Sequence, residues 1–288
     1  MVIVRFQGGI GNQLFQYAFY KKLEHIGKDV YADLNTFGYR TEKREYQLPL
    51  LGLEVREAPY NIIRKMFPIG EDIWSKVLRN TVFKKHCIKD RDSQVFDEKF
   101  YEYDNIYLSG YWQTEKYFGD IKDNILNNIN FASIDNSDNV SVLKKIRRTN
   151  SISIHIRFGD YIENPMYKDI CTRDYYISAI NEMKKKCTDS RLFVFSDDGE
   201  KAREFLGNLQ YDLVDFNTGD SSYYDMYLMS QCKHNIIANS SYSWWGAYLN
   251  KNPYKIVIAP SLWINNCRCD DVWLSSWLKV SPQGKVIL

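Results

Sequence analysis

No apolar run in this chain approaches the roughly 18 residues that a membrane-spanning helix requires, and Arg5 interrupts the one N-terminal apolar stretch before signal-peptide length. These absences predict a cytoplasmic protein without a transmembrane segment. An excess of one charge sign is also missing. Lys and Arg total 38 against 36 Asp and Glu, and the lysines are dispersed, so there is no basic field of the kind a nucleic-acid binder carries. The expected partner is a small molecule. Six cysteines (Cys87, Cys171, Cys187, Cys232, Cys267, Cys269) lack the regular spacing of a disulfide framework, which predicts free thiols. Cys267 and Cys269 form a C-x-C pair, but no second Cys/His pair lies near at zinc-ligand spacing, so no metal site is expected. Internal repeats and low-complexity tracts are absent too.

What is present begins with a βαβ pattern. The 288 residues, 44% of them hydrophobic, suffice for one large domain or two smaller ones. Residues 2–6 read as a strand, "GGIGNQLFQYA" (8–18) as a glycine turn opening a helix, and "DVYADL" as a second strand ending at Asp33. Leu14, Phe15, Ala18, Phe19, Leu23 and Ile26 recur at helical spacing until Gly27. Counted from Gly9 and Gly11, the third glycine of a dinucleotide fingerprint is replaced by Leu14. Asp33 stands where a ribose-binding acid would, which keeps an NAD-dependent oxidoreductase as one alternative and a plain strand-to-helix turn as another. Neither explains Asn12 and Gln13, two amides at a helix start where a polar ligand can meet them.

The stretch 34–105 says less. "TEKREYQ" reads as a charged loop or exposed helix, and "YNIIRKMF" and "DIWSKVL" as short amphipathic helices. The D-x-D triplet Asp90 and Asp92 matches a pattern some glycosyltransferases use for a divalent metal, but it follows no convincing strand and reads better as a solvated charged turn. In "NIYLSGYWQTEKYFGDI" a strand ends at Gly110 and a helix starts after Thr114, a good N-cap. Tyr111, Trp112 and Gln113 at that joint suit either core packing or a sugar ring and its hydroxyls.

Charge chemistry concentrates in the second half. "NSDNVSVLKKIRRTN" (136–150) reads as a helix with flanking loops leading into a new domain. In "SISIHIRFGDY" the alternation places His155 and Arg157 on one face near the carboxyl end of a strand, where α/β sheets bind ligands. Arg157 can pair with Asp160, grip an anionic phosphate, or do both. "RLFVFSDD" ends in Asp197 and Asp198, either an N-cap or a carboxylate that accepts the adjacent donors of guanine. "HNIIAN" runs into "SSYSWWGAYLN", where Asn239, Ser240, Ser241, Tyr242 and Ser243 surround a helix start suited to phosphate.

Five motifs in this order, "GGIGNQLFQYA", "GYWQTEKYF", "HIRFGDY", "FSDD" and "NSSYSWWGAYLN", resemble the GDP-fucose-dependent α-1,2-fucosyltransferases of glycosyltransferase family 11. The resemblance implies an α/β, GT-B-like fold of two Rossmann-type domains facing a central cleft. Residues 1–148 would form the acceptor side and 149–288 the GDP-fucose-binding side. It implies inverting, metal-independent transfer of L-fucose from GDP-β-L-fucose to the 2-hydroxyl of a galactose-containing acceptor glycan. No cofactor is implied beyond the donor substrate, and there is room for peripheral contact with a lipid-linked acceptor. Arg157 would bind the β-phosphate and His155 would seat the nucleotide. Asp197 or Asp198 would read guanine, Ser240 and Ser241 would hold phosphate oxygens, and Asn12 would approach the reacting sugars from the other domain. Gly9, Gly11, Gln13, Asn239, Tyr242 and Ser243 complete the expected binding set. The family pattern H-x-R-R-x-D has Phe158 at its second arginine here. Asp160 is the positional candidate for a general base, although a carboxylate paired to an arginine has a lowered pKa and makes a poor one, so the base stays open. A non-catalytic sugar-binding module is the third alternative.

Overall fold

β-Branched Val2, Ile3 and Val4, all fully buried, make the first strand, and Gly8 turns the chain into the first helix at a φ of +79°. The computed structural model describes residues 1–38, 44–67, 81, 86–161 and 163–287. "DIWSKVL", residues 41–43 of "TEKREYQ" and the side chain of Asp160 lie outside the described residues. The described residues divide into two units, Met1–Asn130 with Asp270–Val272, and Phe131–Cys269 with Trp273–Leu288.

The first unit holds β1 (Val2–Arg5), β2 (Val30–Asp33), β3 (Cys87–Lys89) and β4 (Ile106–Ser109), all parallel, in the order β2-β1-β4-β3. Its helices are α1 (Ile10–His25), α2 (Tyr60–Met66) and α3 (Lys122–Asn128). α1 is buried on most of its surface, including Gln13 and Gln16, whose amides therefore need internal partners. Phe19 stacks on Trp112 at 4.3 Å and meets Tyr117 edge-on at 5.4 Å, so the tryptophan at the joint is core. The helix expected after Thr114 is instead two 3-10 turns, Glu115–Tyr117 and Gly119–Ile121, ahead of α3. Thr114 still caps the first of them, accepting from the Lys116 N–H at 3.2 Å. Three residues from late in the sequence complete this unit. Asp271 accepts from the Phe96 N–H, its own N–H donates to the Gln94 carbonyl, and its carboxylate pairs with Lys116.

The second unit is a seven-stranded sheet in the order β11-β10-β9-β8-β5-β6-β7. Its strands are β5 (Asn150–Ile156), β6 (Ser190–Ser196), β7 (Asp212–Val214), β8 (His234–Ile236), β9 (Val257–Pro260), β10 (Leu278–Val280) and β11 (Val286–Ile287). All neighbours are parallel except β10 and β11. Read from β7 to β10 this is the Rossmann order 3-2-1-4-5-6, and its direction reverses between β5 and β8. Helices α4 (Ser137–Arg148), α5 (Arg173–Lys186), α6 (Gly199–Leu206), α7 (Tyr223–Gln231) and α8 (Ser241–Tyr248) complete it. The sequence reading placed residues 131–148 with the first domain, whereas α4 buries Val142 and Ile146 and packs against α7 and β5. An amphipathic helix belongs to the unit that covers its apolar stripe, which moves the boundary to Asn130. Both units are thus parallel α/β assemblies of the GT-B-like kind. Among the described residues Cys171, Cys187, Cys232 and Cys267 stand outside any disulfide, and no helix is long and apolar enough to cross a membrane.

Candidate active site

Ligands of open α/β sheets bind outside the carboxyl ends of the strands where the strand order reverses. In the second unit that place lies between the ends of β5 and β8, and the sequence puts Arg157 one residue past β5 and Ser240 four residues past β8. Arg157 Nη1 is 3.1 Å from Asp197 Oδ2, and the other carboxylate oxygen of Asp197 accepts from the Phe158 N–H at 2.9 Å. Among the described side chains, the acid after β6 thus meets Arg157 at the β5 end. Gly159 makes this pairing possible, because a Cβ there would stand 2.7 Å from Asp197 Oδ2 and 3.3 Å from Arg157 Nη2. Tyr161 adds a ring 5.8 Å from the guanidinium carbon and donates to the Asn239 carbonyl at 3.2 Å, tying the arginine loop to the β8 end.

His155 is buried, with Nδ1 lacking any hydrogen-bond partner among the described residues. Burial, aided by the Arg157 charge, pushes its pKa down to about 3, so the imidazole is neutral at physiological pH. A neutral, unpartnered ring nitrogen beside an arginine can accept a hydrogen bond or donate one, but it brings no charge. The Tyr242 ring lies 5.5 Å from it, and the Tyr242 hydroxyl accepts from the Met226 N–H at 2.9 Å while donating to the Ser222 carbonyl. Tyr242 thus fastens the start of α7 to the start of α8. Gly246 supports the same contact, a Cβ there standing 3.1 Å from Met229.

At the start of α8, Ser240 takes the N-cap position without a side-chain capping bond. Ser243, by contrast, turns its buried hydroxyl to the Ala238 and Ser240 carbonyls. Asn239 is also committed internally, donating to the Trp263 carbonyl at 3.0 Å and accepting from the Cys171 thiol at 3.4 Å. Asn239 and Ser243 therefore shape the phosphate-type helix start rather than offer it side-chain groups. Asp198 caps α6 through the Lys201 N–H at 3.0 Å and pairs with Lys201 Nζ at 2.8 Å, which holds its pKa low. Of the two readings open for Asp198, the cap is the one its contacts support. Asp197 is engaged with Arg157, so the carboxylate expected to read a base is instead a support for the arginine.

An acid that sequence reasoning passed over is Asp225, in the first turn of α7. It accepts from Asn217 Nδ2 at 2.7 Å, and Asn217 exchanges amide bonds with Asn139 at 2.8 Å. Burial pushes its carboxyl up to about 8, reinforced by the nearby Asp215 charge and opposed by the Asn217 bond. The signal was available, since an aspartate inside the apolar run "YYDMYLMS" is a charge with nowhere wet to go.

In the first unit the amides at the α1 start part company. Gln13 is wholly buried, donating to the Gly8 and Glu45 carbonyls at 2.8 Å and accepting from the Gln47 N–H at 2.9 Å. It is a latch for the 45–47 segment, and the expected ligand contact from it is withdrawn, because all of its amide bonds point inward. Asn12 is half-buried, and its Oδ1 accepts from Gln113 Nε2 at 2.7 Å. Gly9 is the N-cap of α1 with open space where a Cβ would be, and Gly11 is buried in the first turn. Asp33 is buried and bonded to Tyr107 and Asn35, so it is not presented as a ribose-binding acid. Asp90 is half-buried and acts as a support for the β4 end, while Asp92 stays exposed in the turn that follows. Asp90 accepts from the Trp112 N–H at 3.0 Å, burial pushes its pKa up, and a Cβ at Gly110 would stand 2.2 Å from its own Cβ.

The chain as a whole is similar to known proteins. The chain is 32% identical over 271 residues to an α-1,2-colitosyltransferase of Escherichia coli, covering 91% of this chain and 92% of that one. It is 30% identical to the O-antigen biosynthesis glycosyltransferase WbnK of Escherichia coli, over 95% of this chain and 98% of that one. A galactoside α-(1,2)-fucosyltransferase 1 of Leontopithecus chrysomelas is 23% identical over 49% of this chain and 42% of its own length. Residues 1–281 match the description of Glycosyl transferase family 11. The match over nearly the whole chain makes it a member of glycosyltransferase family 11.

Proposed function

We propose that the chain is an inverting α-1,2-fucosyltransferase that moves L-fucose from GDP-β-L-fucose to the 2-hydroxyl of a β-galactoside. The observation that carries this reading is the Asp197-held Arg157 at the β5–β8 reversal, beside the α8 start. As the bond from fucose C1 to the β-phosphate oxygen breaks, negative charge grows on the departing GDP. A guanidinium already aimed by a carboxylate meets that charge without reorganising. The Ser240 and Ser241 hydroxyls and the α8 N–H groups hold the remaining phosphate oxygens. The acceptor oxygen attacks C1 from the opposite face and loses its proton to a general base. The second unit is the donor side, and the first unit, through Asn12, serves the acceptor. No metal is needed in this scheme, because arginine and helix start supply the positive potential.

The 32% identity to an α-1,2-colitosyltransferase favours a second donor, GDP-colitose, whose sugar is L-fucose without its 3-hydroxyl. A site that hydrogen-bonds that hydroxyl rejects the deoxy sugar by orders of magnitude, so the two readings separate cleanly. The test is turnover of GDP-L-fucose and GDP-L-colitose with lactose, with and without EDTA, and the linkage read by NMR. Faster transfer of fucose to the galactose 2-hydroxyl, unchanged by EDTA, is expected. Transfer of colitose alone replaces the donor, and turnover abolished by EDTA and restored by Mn²⁺ overturns metal independence.

A further inference from the structure

Three side-chain amides line up in the first unit. Gln94 Nε2 donates to Gln113 Oε1 at 2.6 Å, and Gln113 Nε2 donates to Asn12 Oδ1 at 2.7 Å. Gln94 and Gln113 are both more than nine-tenths buried, whereas Asn12 is half-buried. Asn12 stands in the first turn of α1, the helix that follows β1, and Gln113 follows β4, and these two strands are neighbours in the sheet. An amide has a carbonyl end that only accepts and an amino end that only donates. A chain of such bonds therefore has a sense, here running from Gln94 to Asn12.

The backbone that carries Gln113 is pinned. Its N–H donates to the Ser93 carbonyl at 2.6 Å, the preceding Trp112 N–H is held by Asp90, and Trp112 adopts a φ of +47°. On the other side of Asn12, a Cβ at Gly8 would stand 2.6 Å from Asn12 Nδ2, so glycine leaves the room that the amino end occupies.

We propose that Gln113 is a positioning residue that fixes the sense of the Asn12 amide, so that Asn12 meets an acceptor-sugar oxygen with its amino end and not its carbonyl. Gln94 sets Gln113 in turn. This rests on the reading that Asn12 serves the acceptor at the reaction centre. The buried pair Gln94 and Gln113 touches no substrate, and its effect is transmitted through one rotatable amide.

Gln113→Glu tests the sense directly. The new side chain, when ionised, accepts from Gln94 and from the Asn12 amino group, which keeps both side-chain bonds of residue 113 but turns the Asn12 carbonyl outward. When protonated, the same carboxyl donates to Asn12 Oδ1 and restores the original sense. Losing one oriented donor costs about 100-fold in kcat. The expected results with GDP-L-fucose and lactose are therefore a kcat reduced by about that factor at pH 8, GDP affinity by calorimetry unchanged, and kcat recovering as pH falls. Asn12→Asp, which keeps the acceptor and, while ionised, lacks the donor, is expected to lose as much kcat at pH 8. If Gln113→Glu does not fold, Gln113→Met removes the bias without charge, and an approximately tenfold loss of kcat is expected. Wild-type kcat in Gln113→Glu or Gln113→Met alongside an inactive Asn12→Asp overturns the positioning role alone. Wild-type kcat in Asn12→Asp overturns the placement of Asn12 itself, and with it this proposal.

Discussion

The Arg157 guanidinium and the Asp197 carboxylate meet at 3.1 Å across the ends of two adjacent strands, each about a quarter exposed. A pair that exposed contributes little stability of its own. On the proposed function its worth lies in holding the guanidinium for an incoming phosphate. Arg157→Ala is expected to lower kcat at least about 100-fold, and Asp197→Asn, which leaves the charge but loosens its aim, about tenfold. Steady-state kinetics with the preferred GDP-sugar checks both, and equal losses in the two variants would mean that Asp197 acts on substrate directly.

Gly159→Ala places a methyl group 2.7 Å from Asp197 Oδ2. Because the group it pushes is the arginine's support and not the core, affinity should suffer more than stability. Calorimetry should show GDP binding weakened about tenfold, with Tm changed by no more than a few degrees.

On the proposed function, replacing Ser240 and Ser241 together by alanine removes two hydrogen bonds to a charged phosphate, each worth about 1.5–3 kcal/mol. GDP affinity should fall by at least an order of magnitude. Unchanged binding would reduce both serines to scaffolding of the α8 start.

Phe158 stands where the family pattern has its second arginine, and it is buried in the cluster of Ile156, Tyr176 and Leu206 with an edge-to-face contact to Phe205 at 5.7 Å. Its side chain faces the core while Arg157 faces the site. Restoring the family residue by Phe158→Arg would drive an unpaired guanidinium into apolar packing, costing roughly 3 kcal/mol or more. A Tm lowered by about 6–12 °C is expected in thermal melts. An unshifted Tm would show that the cluster opens readily to solvent.

Asp225 carries a pH signature. An unfolded aspartate titrates near 3.9, whereas the folded one is pushed up to about 8. The folded state holds a proton that the unfolded chain releases, so the stabilising contribution present below about pH 4 is lost as pH rises toward 8. Asp225→Asn keeps an acceptor for Asn217 and removes the titration. It should match wild type near pH 4.5 and melt at least about 5 °C higher at pH 8. Parallel pH dependence in the two proteins would assign the effect elsewhere.

The architecture was legible because alternating Ile152, Ile154 and Ile156 and the helical spacing of Leu14, Ala18 and Leu23 report burial directly. Arg157 and Ser240 were legible because strand ends and helix starts are local features. The partners were not. Asp197 reaches Arg157, and Gln113 reaches Asn12, across neighbouring strands, and pairing between strands distant in sequence leaves no periodic trace. Phe158 could be read only as a departure from a pattern, since alternation gives its face but not the Phe205 ring that receives it. Gln13 misled for the same reason: an amide at a helix start looks available until the 45–47 segment folds over it.

The first unit is not one continuous stretch of chain. The Phe96 N–H finds its acceptor, Asp271, 175 residues later, and the Gln94 carbonyl waits for the same residue. During synthesis from the N-terminus, the segment bearing Gln94 therefore emerges long before its last anchor. The early unit can reach its final form only when nearly the whole polypeptide has left the ribosome, and a fragment ending at Asn130 would lack the strap that closes it.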